Sequence, residues 1–206
     1  MSKYKCKNIT ITGLPGTGST TLLNCLKEQL KFHGWTGFSG GEFMRKYAVE
    51  KGLYDDRKKI HHDASAYDED FDHKIDMGIR EKLQEEESWI IESWLSGFMA
   101  QGLDGVLKIL VTCNEDAVRV DRIMNRDGVT VAEAKRHISH RYDTNLAKWA
   151  RIYGHLWQKW VVEQGPAKEN DPIDFWRPDL YDVVIDTFSN NKKQVLKIAL
   201  DAIKKK

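Results

Sequence analysis

The sequence predicts an α/β fold of three layers, a mainly parallel central sheet with helices on both faces. Three observations lead there. Short β-branched or apolar runs alternate along the chain with segments of helical periodicity. Two of the runs, Trp89 to Glu92 and Val106 to Val111, are apolar enough to be buried on both sides, as central parallel strands are. A glycine-rich run, Gly13 to Gly18, separates the first strand from the first helix.

In chain order, Asn8 to Thr12 is the first strand, because its β-branched residues favour extended backbone. The helix after the glycines carries Leu22, Leu23, Leu26 and Leu30 at three- and four-residue spacing, which makes one buried face, and Gly34 stops it. A second strand from Trp35 to Phe38 is turned by Gly40-Gly41 into a helix bearing Phe43, Met44, Arg45, Tyr47 and Ala48. The polar stretch Asp55 to Asp72 reads as short helical or irregular surface structure. Helical periodicity returns over Lys74 to Glu86 through Ile75, Ile79 and Leu83. After the central strands, Asn114 is expected to cap a helix through Arg126, and Asp127-Gly128 makes a tight turn. Thr130 with Glu133 then forms a capping box opening a long helix toward Tyr153. Gln164 to Pro178, with three prolines, is an irregular connection. Tyr181 to Asp186 is the last strand and Lys192 to Ile203 a closing amphipathic helix.

A chain of 206 residues, 41% hydrophobic, can bury one substantial core, so a single domain with a mobile subregion is expected. The 32 basic and 31 acidic residues nearly cancel, and with no basic arm this argues against a nucleic-acid partner. Cys6, Cys25 and Cys113 form no CxxC pair, which fits a reduced, cytoplasmic setting. No run of about 18 apolar residues suggests membrane insertion. His61, His62, Asp63 and His73 lack the spacing of a transition-metal site, and no GxSxG surrounds any serine.

The strongest local signal is Gly13-Leu14-Pro15-Gly16-Thr17-Gly18-Ser19-Thr20, followed by Thr21. Glycines let backbone N–H groups curl around phosphate oxygens, and the positive end of the following helix faces the anion. Thr20 is placed to ligate the Mg2+ of a bound nucleoside triphosphate. The standard pattern has lysine where this chain has Ser19, and a serine supplies no mobile charge to transferring phosphates. Lys7, Lys27 or the arginines Arg122, Arg126 and Arg141 are candidates to replace it.

Further segments extend this signal. Ser39-Gly40-Gly41-Glu42-Phe43-Met44-Arg45 fits Ser-x-Gly-(Asp/Glu)-x-x-Arg, Asp72-His73-Lys74-Ile75-Asp76 fits Asp-x-x-Ile-Asp, and Trp89 to Gly97 is a strand ending in Glu92 followed by a turn. Arg119, Arg122 and Arg126 precede Asp127-Gly128; Arg141, Lys148-Trp149 and Ile152-Tyr153-Gly154 follow. From about Ile9 to Thr187 the chain resembles the short, archaeal-type cytidylate kinase family, which belongs to the P-loop nucleoside monophosphate kinases.

That resemblance implies a phosphate loop at one end of the site, an acceptor-binding helical region at about 39–86 and a lid at about 119–154. It implies that Ser39, Arg45, Asp72 and Asp76 bind the acceptor, with Arg45 gripping its phosphate, and that Glu92 acts through water on magnesium. Trp94 stands where the family has arginine, to stack on a base or to fill the cleft wall. Arg122, Arg126, Arg141 and Lys148 are the implied catalytic cations. The implied activity is transfer of the γ-phosphoryl group of ATP, with Mg2+, to CMP or dCMP, by a monomer or small homo-oligomer whose partners are small-molecule nucleotides. The alternatives are another nucleotide, a nucleoside or a small phosphorylated metabolite as acceptor, or a non-catalytic nucleotide-binding regulator.

Overall fold

The computed structural model describes residues 4–51 and 68–204. Most of the polar stretch that contains His61, His62 and Asp63 lies outside the described residues.

Five strands form one sheet in the order β2-β3-β1-β4-β5, and every neighbouring pair is parallel. They are β1 (Asn8–Gly13), β2 (Thr36–Ser39), β3 (Trp89–Glu92), β4 (Val106–Thr112) and β5 (Val183–Asp186). The helices are α1 (Ser19–Leu30), α2 (Gly40–Glu50), α3 (Glu69–Glu85), the single turn α4 (Ser96–Met99), α5 (Asp116–Asp127), α6 (Val131–Trp157) and α7 (Lys192–Ile203). The predicted parallel, three-layer architecture is therefore present. Strand alternation sends side chains to two cores. Ile9, Ile11, Ile90 and Val111 face α1 and α7, while Ile91 and Leu110 face Ile79, Phe98, Tyr153 and Trp157 from α3, α4 and α6.

Every residue of β1 is buried, including polar Asn8, Thr10 and Thr12. Asn8 resolves its cost by bonding at both ends: its Nδ2 donates to the carbonyls of Leu83 (3.0 Å) and Glu86 (2.7 Å), and its Oδ1 accepts from the Trp89 amide (2.9 Å). This pins the end of α3 to the start of β3. Thr12 in turn accepts from the Gly97 amide at 2.9 Å and anchors α4.

Several boundaries differ from expectation. The N-cap of α5 is Glu115, whose side chain accepts from the Ala117 amide (3.2 Å), and not Asn114. The Asn114 amide instead donates to Asp186 Oδ1 (2.9 Å), which ties that residue to the end of β5 and moves the cap one residue on. Helix α3 starts at Glu69, before the first apolar position, because Asp68 caps it and Glu69, Asp70 and Asp72 suit its positive end. The turn α4, buried throughout, was not expected; four residues are too few to show a period. The expected capping box of Thr130 and Glu133 is formed, and α6 runs past Tyr153 into a π-turn, Gln158–Val162, that buries Trp160 and Val161. Residues 164–177 contain no helix or strand, as predicted, yet they are more than a connection, since Phe175 and Trp176 enter the core beside Phe98 and Trp157.

Among the described residues no helix is long and apolar enough to cross a membrane.

Candidate active site

The carboxyl ends of the strands meet a cavity of about 720 Å3. Ligands of open parallel sheets bind at such an edge, where consecutive strands diverge to opposite sides of the first. Here β1 is flanked by β3 and β4, and the loop Leu14–Gly18 leaves between them.

Close contacts dictate the loop's glycines. A side chain on Gly13 would meet Thr17 Oγ1 at 2.5 Å, and Gly16, at φ +82°, would meet the Arg119 carbonyl at 2.9 Å. Gly18, at φ +97°, is the N-cap of α1, and no side chain caps that helix start. The helix therefore opens on the cavity with its amides available to an anion. Thr17 points inward, its hydroxyl donating to the Leu14 carbonyl (2.8 Å), and does not line the cavity; the other expected loop residues, Gly13 to Gly16 and Gly18 to Thr21, do.

Behind the loop, Glu92 is the hub. The parallel register sets Ser39 beside Glu92 at the strand ends. Ser19 donates to Oε1 at 2.8 Å, Thr20 to the same oxygen at 3.4 Å, and Ser39 to Oε2 at 2.8 Å. Ser39 also caps α2 by accepting from the Glu42 amide, so its hydrogen is free to go to the carboxylate.

Arg122, Arg126 and Arg141, expected in a lid, differ in their attachments. Arg122 Nη1 donates to the Gly16 carbonyl (3.0 Å) and to Thr187 Oγ1 (2.8 Å), and Nη2 to the Thr187 carbonyl (3.0 Å), so this side chain straps the loop to the end of β5. Arg126 forms a two-pronged pair with buried Asp127, at 2.7 and 2.8 Å. Arg141 lies over the Trp94 ring at 5.2 Å. All three line the cavity. Lys148 does not: it is buried and paired with Asp72 at 2.9 Å. Lys7, paired with Glu87, and Lys27, whose stem lies over Gly37, are also outside the cavity lining.

At the far end, Arg45, Asp72, Asp76 and Trp94 line the same space. Trp94 meets Trp149 and Trp176 edge to face and accepts the Trp176 indole hydrogen at its carbonyl (2.9 Å), which builds an aromatic wall. Asp76 accepts from the Tyr153 hydroxyl at 2.7 Å. Burial pushes the Asp76 carboxyl up to about 7 against the opposing pull of that bond, and burial also raises Asp72, opposed by Lys148. Sequence reasoning missed Asn145, Asn190, Asn191 and Lys192, which also line the cavity. Asn191 caps α7, and nothing in the sequence tells a capping residue from a cavity-lining one.

The strand order, the amide-bearing loop and the cavity spanning it define an ATP-dependent P-loop kinase. Solved structures agree on the fold: a gluconokinase from Sinorhizobium meliloti superposes with a TM-score of 0.54 at 13% identity, covering 96% of this chain and 91% of that one. A shikimate kinase from Acinetobacter baumannii in complex with shikimate gives 0.51 at 13% identity, covering 95% and 92%. Residues 9–137 match the family model described as an AAA domain. In sequence, the chain is 32% identical to a cytidylate kinase of Methanopyrus kandleri across 95% of this chain and 93% of that protein. It is 30% identical to one of Methanosarcina barkeri across 95% and 97%. The chain belongs to the archaeal-type cytidylate kinase family, within the nucleoside monophosphate kinases.

Proposed function

We propose that the chain transfers the γ-phosphoryl group of ATP to CMP or dCMP. The observation that carries this reading is the end-to-end match to proteins named cytidylate kinase, with Ser39 and Arg45 facing one cavity with the phosphate loop. The triphosphate lies on Gly13 to Thr21, and the acceptor phosphate is gripped by the Arg45 guanidinium, whose planar donors match phosphate oxygens. Asp72, Asp76 and Trp94 bound the acceptor's nucleoside. Arg126 and Arg141 bring positive charge from the lid at 119–154, and Arg122 holds the loop's shape while facing the same space. Lys148 acts from behind by holding Asp72. The acceptor side is assigned to the described parts of the region at about 39–86, all within one domain.

Thr20 and Glu92 are hard oxygen donors on the cavity wall, 3.4 Å apart, and fit magnesium in donor type. When bound, that ion neutralises charge on the β- and γ-phosphates. The chain's own contribution is alignment and cation placement, so no serine or histidine nucleophile is needed.

A second acceptor class is favoured by one observation, the aromatic wall that Trp94 builds with Trp149 and Trp176 along the cavity. A panel of CMP, dCMP, UMP, AMP and GMP, each with ATP–Mg, tests both readings. Turnover with CMP or dCMP above the others supports the first, and preference for another monophosphate supports the second. Arg45→Ala is expected to raise the KM of the preferred acceptor by roughly 10- to 100-fold, the loss of a charged hydrogen-bond pair. An unchanged KM would remove Arg45 from the acceptor pocket.

A further inference from the structure

The strand order divides the cavity lining into two sides of the phosphate loop. That loop leaves β1, the central strand; Ser39, Arg45 and Trp94, at or after the ends of β2 and β3, lie to one side, and the segment after β5 lies to the other. On the β5 side the lining runs through Thr187, Asn190, Asn191 and Lys192 to Val195 and Leu196, together with Arg122 and Ile123 of α5. Contacts hold this segment against the loop: Thr187 Oγ1 donates to the Thr17 carbonyl at 2.7 Å, and a side chain on Gly18 would lie 3.6 Å from Thr187 Cγ2. A triphosphate on the loop, with its acceptor at Arg45, therefore has its own nucleoside on the β5 side.

The polar side chains of that wall differ in what they have left to offer a base. Thr187 Oγ1 gives its hydrogen to a carbonyl and accepts from Arg122 at 2.8 Å. Asn191 Oδ1 accepts from the amides of Lys193 (3.0 Å) and Gln194 (3.1 Å) and is spent on capping α7. Lys192 and Arg122 can only donate. Asn190 is different. Its Nδ2 donates to the Asp186 carbonyl at 2.9 Å, and because a carbonyl only accepts, the amide orientation is fixed and Oδ1 is turned away from that carbonyl. Among the described residues no group donates to this half-buried oxygen. We infer that Asn190 selects the base of the phosphoryl donor, its Oδ1 accepting a hydrogen bond from the exocyclic amino group of adenine. Ile123, Val195 and Leu196 supply apolar surface for the ring. A base with a carbonyl in place of the amino group sets two oxygens against each other and is disfavoured. The inference rests on the triphosphate lying on Gly13 to Thr21, and it holds whichever monophosphate is the acceptor.

Displacement of AMP-PNP, the non-hydrolysable analogue of ATP, followed by calorimetry on the full chain with magnesium and no monophosphate, tests this. It gives the Kd of ATP, of purine riboside triphosphate, which lacks the amino group, and of inosine triphosphate, which carries a carbonyl in its place. The unmodified protein is expected to bind ATP roughly 3- to 10-fold more tightly than purine riboside triphosphate, the effect of one neutral hydrogen bond, with inosine triphosphate the weakest. Asn190→Ala is expected to bring the ratio of the first two dissociation constants to about one. The variant also loses its tie to Asp186, but loosening of the segment weakens both ligands alike, so the ratio isolates the amino contact. Equal affinity for ATP and purine riboside triphosphate in the unmodified protein, or a preference that Asn190→Ala leaves intact, would overturn the assignment while the loop reading stands. No saturable binding of AMP-PNP or of any of the three would remove the loop reading and the assignment together.

Discussion

The phosphate-loop end of the cavity is held by backbone carbonyls, short hydroxyls and two arginines, whereas the end assigned to the acceptor is held by side chains reaching between α3 and α6. Around the loop, Arg119 and Arg122 donate to the carbonyls of Pro15 and Gly16, and Thr187 donates to the Thr17 carbonyl. At the other end, Glu69 pairs with Arg151, Asp72 with Lys148 and Asp76 with Tyr153, three rungs along one face of α3. The first arrangement fixes a shape that any triphosphate can use. The second joins α6 directly to α3, so in the proposed reading a displacement of α6 would be registered at Asp72 and Asp76. If the proposed acceptor and lid assignments hold, specificity and closure share one set of contacts, and binding of the triphosphate to the loop is expected to be largely independent of them.

The sharpest way to break this contrast is Lys148→Met. Both members of the pair are nearly out of solvent, at 7% and 6% exposure, so losing the ammonium leaves Asp72 buried without its charge partner. A stability loss of about 3 kcal/mol in urea unfolding is expected, since removing one member of a buried pair costs far more than a surface bridge. Adding Asp72→Asn should recover most of it, because the orphaned charge then disappears. AMP-PNP affinity should stay within about twofold of the parent, as additivity between separated sites predicts. A large loss of triphosphate affinity would show that the two ends are not independent.

Gly16→Ala attacks the other end. The residue sits at φ +82° and its new methyl would lie 2.9 Å from the Arg119 carbonyl, a backbone atom that cannot step aside cheaply. About 2 kcal/mol of destabilisation is expected from the left-handed backbone and that contact. Triphosphate affinity should fall at least as steeply, while the coupling between Asp72 and Lys148, measured by a double-mutant cycle, should be unchanged.

The same contrast governs how far the sequence could be read. Gly13 to Thr21 lies between a strand and a helix in one short stretch, and each local preference there agrees with the fold; β1, β3 and the capping box of α6 were legible for the same reason. Asn114 was assigned as a cap on local grounds, but the end of β5, distant in sequence, takes its amide. Lys148 reads as a catalytic cation in a string of basic residues, and only the packing of α6 on α3 brings it to Asp72. Trp94 was visible as a departure from the family, while its partners Trp149 and Trp176 come from α6 and an irregular stretch that carries no periodic signal. Residues whose surroundings are built by long-range contacts are the ones whose roles the sequence leaves open.

The remaining test of the contrast concerns Asp76, whose carboxyl burial raises from 3.8 to about 7. The groups that face it are the Tyr153 hydroxyl, which donates to it, and the charges of Asp72 and Lys148. Between about pH 4 and pH 7 the unfolded chain has released a proton that the native state retains. The native state therefore gains on acidification through that window, and stability falls as pH rises until both forms are ionised near pH 7. Asp76→Asn keeps an acceptor for Tyr153 and removes the titration. Relative to the parent, its unfolding free energy should climb across the window, by at most about 1.4 kcal/mol per pH unit, and run parallel above it. If Asp76 forms part of the acceptor wall as proposed, the KM for the monophosphate should follow the same window in the parent and flatten in the variant, with AMP-PNP affinity unaffected in both. A parent whose stability rises with pH from 4 to 7 while the variant's does not would mean that this carboxyl is held ionised, and that Tyr153 outweighs burial at this rung.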